Sequence, residues 1–274
     1  MEWLPCQMPA GWQLSLARVY SYRLSAAEAP LTRYDVVTFD IGSTLVYFHP
    51  SEGEVYLRAF HSIGLDPDPQ ALRAARGEVW AEFFSNAHCV TYEASEAYDR
   101  QLEEEMMARV LQRLGLDQAG LAARVLAAGK VAFRAPGVVR LYPDVAPTLQ
   151  ALRDHGLRLG VISNWSWDLH DYMEMLGLTS SFEAVVASAR TGCDKPHPAI
   201  FRQALQALDC APERAIHVGD SYAADVLGAR GVGMDALWLD RDGNGGHPDC
   251  RTIRDLRDVL PAVLDAQAGP LLRD

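Results

Sequence analysis

Four groups of polar residues have types and positions that could perform chemistry. They are Asp40, Ser163 with Asn164, Lys195, and Gly219 with Asp220, and each lies at the end of a short apolar run or in the loop after one. Together, such carboxylate, hydroxyl and ammonium groups can bind a charged ligand. The chain has only two lysines, Lys130 and Lys195, and otherwise uses arginine for its cations. This usage indicates that a compact ammonium group is needed at Lys195.

The apolar runs before these groups predict the strands that must position them. Strands are predicted over residues 34–40, 157–163, 184–188, 215–218 and 236–239, where β-branched and other apolar residues predominate. Helical spacing alternates with them over residues 145–154, 169–176, 198–208, 223–230 and 253–264. This alternation predicts an α/β fold with a doubly wound, Rossmann-like parallel sheet between two helical layers. All four polar groups then lie beyond the carboxyl ends of strands, where such sheets bind ligands.

A second region has only helical spacing. It covers residues 54–63, 70–84, 95–114 and 118–133, separated by proline, glycine and aspartate. We therefore predict a helical domain, residues 51–136, inserted into a core domain of residues 32–50 and 137–265. Met106, Val110 and Leu114 form an apolar stripe that is typical of a bundle core. Residues 1–31 are left as an N-terminal extension without an assigned role.

Composition excludes several classes of function. The chain has 274 residues, 49% of them hydrophobic and 22% charged, which is typical of a globular protein with a sizeable core. Its net charge of -11 would repel nucleic acids and anionic membrane surfaces, so neither is an expected partner. An anionic substrate would require a lysine, a metal ion or helix N-termini in the site itself.

The cysteines and the absence of a long apolar run indicate a cytoplasmic protein. The five cysteines are scattered, without a CxxC pair, and predict free thiols in a reducing compartment: Cys6, Cys89, Cys193, Cys210 and Cys250. No run approaches the roughly 20 apolar residues of a membrane span, and the first thirty residues do not resemble a signal peptide. The expected state is a monomer or a homodimer.

Four motifs carry a resemblance to a known family. They are Asp40-Ile-Gly-Ser-Thr-Leu45, Val161-Ile-Ser-Asn164, Lys195-Pro-His-Pro198 and Gly219-Asp-Ser-Tyr-Ala-Ala-Asp225. In residues and spacing, from about residue 34 to 240, the chain resembles the haloacid dehalogenase superfamily of hydrolases. The helical insert resembles the type 1 cap of its subfamily I. Ser51-Glu-Gly-Glu-Val-Tyr56 further resembles the branch related to rhythmically expressed gene 2 proteins.

The resemblance implies a phosphatase that acts on a small phosphorylated metabolite. Asp40 would attack phosphorus and form an aspartyl-phosphate, which splits hydrolysis into two steps. A Mg²⁺ ion held by Asp40, the Gly42 carbonyl and Asp220 would screen the charge of the two reacting anions. Lys195 and Ser163 would act with Asp40 in catalysis.

Further residues are assigned to substrate binding and support by the same resemblance. Ser163, Asn164, Lys195 and Thr44 would contact the substrate or its phosphoryl oxygens, and the Thr44 hydroxyl would also orient Asp40. Asp225 would support Lys195 or the waters around the metal ion.

The sequence departs from the family pattern at Gly42, where phosphatases of the family usually have a second aspartate. That aspartate protonates the leaving group, a contribution of about 10²–10⁴-fold. One alternative is a phosphatase restricted to good leaving groups or using an acid from the cap. A second is a weak or inactive member that binds a phosphorylated ligand or a protein. A dehalogenase or phosphonatase is a third, disfavoured by the acidic Asp220 and by the position of Lys130, the one lysine of the insert.

Other residues near the motifs have two interpretations each. The residues that could supply an acid after the first motif are Tyr47, His49, Glu52 and Glu54, although both glutamates also suit a helix N-terminus. His217 fits a satisfied core histidine better than a base. Trp165 and Trp167 could shape a substrate pocket or pack under the following helix. Cys193, close to Lys195, is a candidate for oxidation.

Overall fold

The computed structural model describes residues 33–84, 90–243, 245 and 249–265, so the predicted extension of residues 1–31 lies outside the described residues. The strands in this part of the chain are β1 (Val36–Phe39), β2 (Val46–Phe48), β3 (Val139–Leu141), β4 (Arg158–Ser163), β5 (Ala184–Ala187), β6 (Ala215–Gly219), β7 (Asp235–Leu239) and β8 (Thr252–Ile253). Six of them form a parallel sheet in the order β5-β4-β1-β6-β7-β8. The predicted α/β class with a Rossmann-like parallel sheet is confirmed.

Helices cover both faces of this sheet. They are α5 (Val145–Asp154), α6 (Leu169–Met175), α7 (Ser188–Thr191), α8 (Pro198–Ala207), α9 (Gly228–Arg230) and α10 (Val259–Leu264), with a π-helical turn at Tyr222–Leu227. Alternate residues of β1 face opposite layers, as the period of a strand requires. Val37 packs in one apolar cluster with Leu149 of α5, and Val36 packs in another with Phe201 of α8. The sheet is therefore buried on both sides.

The helical region lies between β2 and β3. It contains α1 (Glu52–Ser62), α2 (Pro69–Phe84), α3 (Glu96–Arg113) and α4 (Leu121–Phe133). These helices enclose an apolar cluster of their own, which includes Phe60, Val79, Val110 and Val125. Glu54 stabilises the start of α1, because its carboxylate accepts hydrogen bonds from the backbone N–H and the hydroxyl of Ser51 at 2.9 and 2.6 Å. We refer to residues 51–136 as the helical insert.

Three details of secondary structure differ from the sequence predictions. Val46–Phe48 and Val139–Leu141 pair as a two-stranded antiparallel sheet where the chain enters and leaves the helical insert. The predicted helix over residues 253–264 is wrong at its start, because Thr252–Ile253 extends the main sheet. The predicted helix over residues 223–230 contains the π-helical turn before α9. In each case, pairing with a strand distant in sequence or a local hydrogen bond determines the structure of a short segment, although its sequence periodicity alone favours a different one.

Two further features of the described residues concern membrane-spanning helices and free cysteines. No helix in the described ranges combines the length and apolar character that crossing a bilayer requires. Cys193, Cys210 and Cys250 are free thiols. Cys6 and Cys89, which the free-thiol prediction also includes, lie outside the described residues.

Candidate active site

Asp40 and Asp220 lie next to each other where the chain connections diverge. Strands β1 and β6 are neighbours in the sheet. Within this sheet the chain continues from β1 to β4, which lies next to β1 on the side away from β6, and from β6 to β7, which lies next to β6 on the side away from β1. Asp40 and Asp220 directly follow β1 and β6, and the Asp40 N–H donates to the Val218 carbonyl at 2.9 Å. This divergence opens a crevice at the carboxyl edge of the sheet, the usual ligand site of such folds.

Lys195 is the centre of the hydrogen-bond network at this edge. Its Nζ donates to Asp40 Oδ1 at 2.6 Å, to Asp225 Oδ1 at 2.6 Å and to the Ile162 carbonyl at 2.8 Å. All three ammonium hydrogens therefore have acceptors. Burial alone would lower the pKa of Lys195, but the two carboxylates outweigh burial and raise it. The ammonium group consequently keeps its charge inside the protein.

The two oxygens of Asp40 are in different environments. Oδ1 accepts hydrogen bonds from Lys195 Nζ and, at 2.9 Å, from the Ser163 hydroxyl. Oδ2 accepts none from any residue in the described part of the chain. Burial raises the pKa of Asp40, and Lys195 and Ser163 oppose that effect. The side chain is thus fixed by one oxygen, and the other oxygen is available to a ligand or a reacting atom.

Asp225 supports Lys195 from the opposite side. Its Oδ1 also contacts His217 Nε2 at 3.1 Å, and its Oδ2 accepts the Ser221 N–H at 2.9 Å. Because a carboxylate only accepts, His217 Nε2 carries the proton and Nδ1 accepts from the Thr38 hydroxyl at 2.9 Å. Burial lowers the pKa of His217, which keeps the imidazole neutral. Although burial would raise the pKa of Asp225, Lys195 and His217 hold it well below its ordinary value.

Gly219 allows Asp225 to reach this position. A Cβ atom at residue 219 would lie 2.2 Å from the Asp225 carboxyl carbon, which is far inside van der Waals contact. The π-helical turn that begins at Tyr222 brings the Asp225 carboxylate back against the end of β6. Glycine at 219 and the irregular turn therefore act together to place a buried carboxylate beside Lys195.

The carboxylates at this edge suit a divalent cation. One carboxylate oxygen from each of Asp40, Asp220 and Asp225 lies within 4.8 Å of the others. Desolvation, followed by the charges of Asp40 and Asp225, raises the pKa of Asp220 to about 7. Both Asp225 oxygens already accept hydrogen bonds, which leaves Asp40 and Asp220 as the candidate ligands among these three carboxylates. Such an oxygen donor set matches a hard cation such as Mg²⁺.

The side chains of Asn164 and Thr44, both predicted to bind substrate, have different surroundings. The Asn164 side chain accepts the Lys195 backbone N–H at 2.6 Å and donates to the Lys195 carbonyl at 3.0 Å. It therefore positions the loop that carries Lys195. Thr44 is fully buried, and its hydroxyl has no hydrogen-bond partner among the described residues. The expectation that this hydroxyl orients Asp40 is wrong, because it makes no hydrogen bond to that carboxylate.

The structure leaves room for a Cβ atom at Gly42. The nearest atom to a Cβ at this position would be Trp165 Cζ3, at 4.0 Å, and Gly42 is not in the left-handed region. Trp165 also packs edge-to-face on Tyr172 of α6, with ring centroids 5.4 Å apart. Trp167 instead lies under the Arg190 guanidinium, 4.4 Å from its ring centroid. The sequence pattern did not identify the contact between Trp165 and Gly42.

A cavity of about 680 Å³ lies between the helical insert and the core. Asn164 and Trp165 line it from the core, and Tyr56 and Phe133 line it from the insert. Two hydrogen bonds connect the walls: the Trp167 N–H donates to Asp99 Oδ2 at 2.8 Å, and the Tyr92 N–H donates to the Gly192 carbonyl at 2.7 Å. The cavity is large enough for a small organic substrate.

The remaining candidate acids have structural partners or lie away from this cavity. Glu52 pairs with Arg76, and Glu54 caps α1. His49 is exposed and is not among the residues that line the cavity. Burial raises the pKa of Cys193 to about 11, so its thiol stays protonated near neutral pH. This protonation disfavours the oxidation considered from the sequence.

Comparisons with known proteins agree on one family. The family model described as haloacid dehalogenase-like hydrolase matches residues 34–233. A mouse (Mus musculus) protein named haloacid dehalogenase-like hydrolase domain-containing protein 3 is 29% identical over 83% of this chain and 90% of its own length. A phosphoserine phosphatase of Thermus thermophilus is 34% identical over 62% of this chain and 68% of its own. The structure of a 2-haloacid dehalogenase from Pseudomonas syringae is 28% identical, with a TM-score of 0.61, and the match covers 86% of this chain and all of that one.

Proposed function

The chain belongs to the haloacid dehalogenase-like hydrolase family, and we propose that it is a Mg²⁺-dependent phosphatase of a small phosphorylated metabolite. The observation that carries this proposal is the arrangement of Asp40: Lys195 and Ser163 hold Oδ1, and Oδ2 is available for attack. The relative named phosphoserine phosphatase supports phosphate ester chemistry. Halide displacement by a carboxylate needs no cation, so the carboxylates around Asp220 favour phosphoryl transfer.

In this proposal Asp40 Oδ2 attacks phosphorus and forms an aspartyl-phosphate, which water then hydrolyses. Lys195 and the Ser163 hydroxyl stabilise negative charge on the phosphoryl oxygens as it is redistributed. Asp40, Asp220 and the Gly42 carbonyl would hold a Mg²⁺ ion, whose positive charge would reduce the repulsion between the Asp40 carboxylate and the anionic substrate. Asp225 keeps the Lys195 ammonium charged and oriented.

We further assign residues 51–136 the role of a cap over the core of residues 32–50 and 137–265. The Asp99 and Tyr92 hydrogen bonds to the core support this role, since they close the cavity beside Asn164 and Trp165. A closed cap excludes water while the aspartyl-phosphate forms and selects the leaving group by its fit.

The direct test is hydrolysis of phenyl phosphate and acetyl phosphate by wild type and Asp40→Asn, with Mg²⁺ or with EDTA. We expect Asp40→Asn or EDTA to reduce turnover on the order of 10³-fold or more, because either change removes part of the reacting assembly. Asp35→Asn is the matched control, since Asp35 is exposed and pairs with Arg214. 2-Chloropropionate, assayed in parallel, reports dehalogenase activity.

Two results would contradict this proposal. Turnover that survives in Asp40→Asn would exclude Asp40 as the nucleophile. No turnover of either phosphate by folded, Mg²⁺-saturated protein would favour the alternative of a weak or inactive family member that binds a phosphorylated ligand or a protein.

Gly42→Asp tests whether a missing acid limits the enzyme. A Cβ atom at position 42 meets no atom closer than 4.0 Å, so we expect the variant to fold. We expect it to accelerate hydrolysis of ethyl phosphate by about 10²-fold, because a carboxylic acid can then protonate the departing alkoxide. Hydrolysis of acetyl phosphate should be accelerated little, because its leaving group, acetate, is already a stable anion. Gly42→Asn, which cannot donate a proton in this way, is the control, and an equal gain in both variants would exclude acid catalysis as the cause.

A further inference from the structure

The cavity between the insert and the core has an aromatic wall, formed by Phe48, Tyr56, Phe133, Trp165 and Tyr172. The Phe133 ring lies 5.4 Å from that of Phe48 and 4.9 Å from that of Tyr56, both in edge contacts. Trp165 and Tyr172 make the edge contact described above. These rings come from the insert, from the core and from β2 between them, so aromatic side chains line the cavity on several sides, with the Arg76 guanidinium over the Tyr56 ring at 3.7 Å from its centroid.

Trp165 connects the aromatic wall to the loop that carries the nucleophile. It lines the cavity, and its Cζ3 is the nearest atom to the Cβ position of residue 42. Residue 42 follows Asp40 by two positions. Asp40 itself does not line the cavity, but Asn164, which does, is hydrogen-bonded to the backbone of Lys195 beside Asp40. A leaving group that extends from Asp40 past residue 42 towards the cavity would therefore meet the indole ring of Trp165.

The chemistry at Gly42 restricts what that group can be. As the bond from Asp40 Oδ2 to phosphorus forms, the ester P–O bond breaks, and its electron pair leaves on the ester oxygen. Since Gly42 supplies no proton, the leaving group departs as an anion and takes a proton from water afterwards. Water then attacks the aspartyl-phosphate, which releases phosphate and restores the carboxylate. A phenolate, of conjugate acid pKa about 10, leaves far more readily than an alkoxide, whose conjugate acid resembles water at about 15.7.

The aromatic wall and the missing acid point to the same substrate class. We propose that the preferred substrates are monophosphate esters of phenols or of similarly acidic aromatic hydroxyl compounds, and that Trp165 determines this preference by contacting the ring. This inference rests on the phosphatase function proposed above. Trp165 acts on binding of the leaving group and takes no part in proton or phosphoryl transfer.

The test compares 1-naphthyl phosphate with acetyl phosphate. The leaving groups, 1-naphtholate and acetate, both depart without protonation by an acid, but only 1-naphtholate has an aromatic ring. We expect Trp165→Leu to raise KM for 1-naphthyl phosphate about tenfold, with a change of less than about twofold for acetyl phosphate. Trp165→Phe retains a ring and should restore most of the loss. Trp167→Leu is the matched control from the same loop, since Trp167 contacts Arg190 and is not among the residues that line the cavity.

The outcomes separate this inference from the phosphatase function itself. Equal KM increases for both substrates in Trp165→Leu, or an unchanged KM for 1-naphthyl phosphate, would overturn the role of Trp165 while phosphatase activity stands. A wild-type KM for 1-naphthyl phosphate that is no lower than that for ethyl phosphate would overturn the substrate class. If turnover of 1-naphthyl phosphate, ethyl phosphate and acetyl phosphate does not depend on Asp40, the proposed phosphatase function itself is overturned.

Discussion

The carboxyl edge of the main sheet and the helical insert both contain ion pairs, but the pairs are buried at the sheet edge and exposed on the insert. At the sheet edge, the Lys195 and Asp225 side chains are each 2% exposed and meet at 2.6 Å. On the insert, Arg113 is 27% exposed and pairs with Glu78 and Glu82, which are 65% and 46% exposed. Water screens the second group, whereas protein surrounds the first.

This difference shows where a single charge determines the arrangement of its neighbours. An exposed pair contributes little stability, and solvent can replace either member. A buried pair loses hydration and gains little net stability over apolar residues, but removal of one partner leaves an uncompensated charge inside the protein. Lys195 therefore fixes Asp40 and Asp225 in one geometry, which is what a reacting carboxylate requires.

The largest expected contrast comes from removing the cation in each region. We expect Lys195→Met to lower the free energy of unfolding by about 3–5 kcal/mol, because two buried carboxylates lose their partner. Arg113→Met should change it by at most about 1 kcal/mol, since both of its glutamates remain hydrated. Urea denaturation at neutral pH, without metal, measures both values. Similar losses in the two variants would show that burial does not distinguish the regions.

A smaller contrast is expected in the pH dependence of stability. The pKa of Asp225 is lowered in the folded chain, so its stabilisation is complete above the unfolded value of about 3.9 and is lost as pH falls below it. The part of the stability difference between wild type and Asp225→Asn that belongs to Asp225 should be lost below about pH 4. The change between about pH 4 and 7 also contains the titration of Asp220, whose pKa is raised to about 7 by desolvation and then by the charges of Asp40 and Asp225. Denaturation curves across this range provide the measurement.

Asp255 supplies the exposed counterpart for that measurement. Its hydrogen bonds from Arg257 lower its pKa to about 2, although a third of the side chain faces solvent. The sign of the pH effect is the same for Asp255→Asn, but we expect a much smaller amplitude because solvent screens the pair. An amplitude equal to that of Asp225→Asn would contradict the importance of burial.

Much of the site could be predicted because its motifs follow strands. A parallel sheet brings the carboxyl ends of its strands to one edge, so Asp40, Ser163 and Asp220 share that edge whatever the details of packing. The helical spacing of residues 54–133 similarly predicted helices, although their boundaries shifted by a few residues. The assigned catalytic and metal-binding roles stay predictions until activity and metal binding are measured.

Other features depend on contacts that no local pattern contains. Val46–Phe48 and Val139–Leu141 are too short to identify as strands, and the long helical insert separates them. The Thr44 hydroxyl suits a role beside Asp40 by its sequence position, yet it is buried without a partner in the described structure. His217, expected to be a core histidine, is buried and also connects Thr38 to Asp225.

The sequence by itself determined the α/β class, the helical insert and the edge at which the polar groups lie. These features follow from periodicity and from the geometry of parallel strands, which are local or general rules. The resemblance implied that Asp225 supports Lys195, but only the tertiary structure decided that Asp225 does so through a π-helical turn packed against Gly219, and that the Trp165 ring lies beside Gly42. Such contacts depend on how side chains distant in sequence share a confined volume, and that packing is specified by the whole chain.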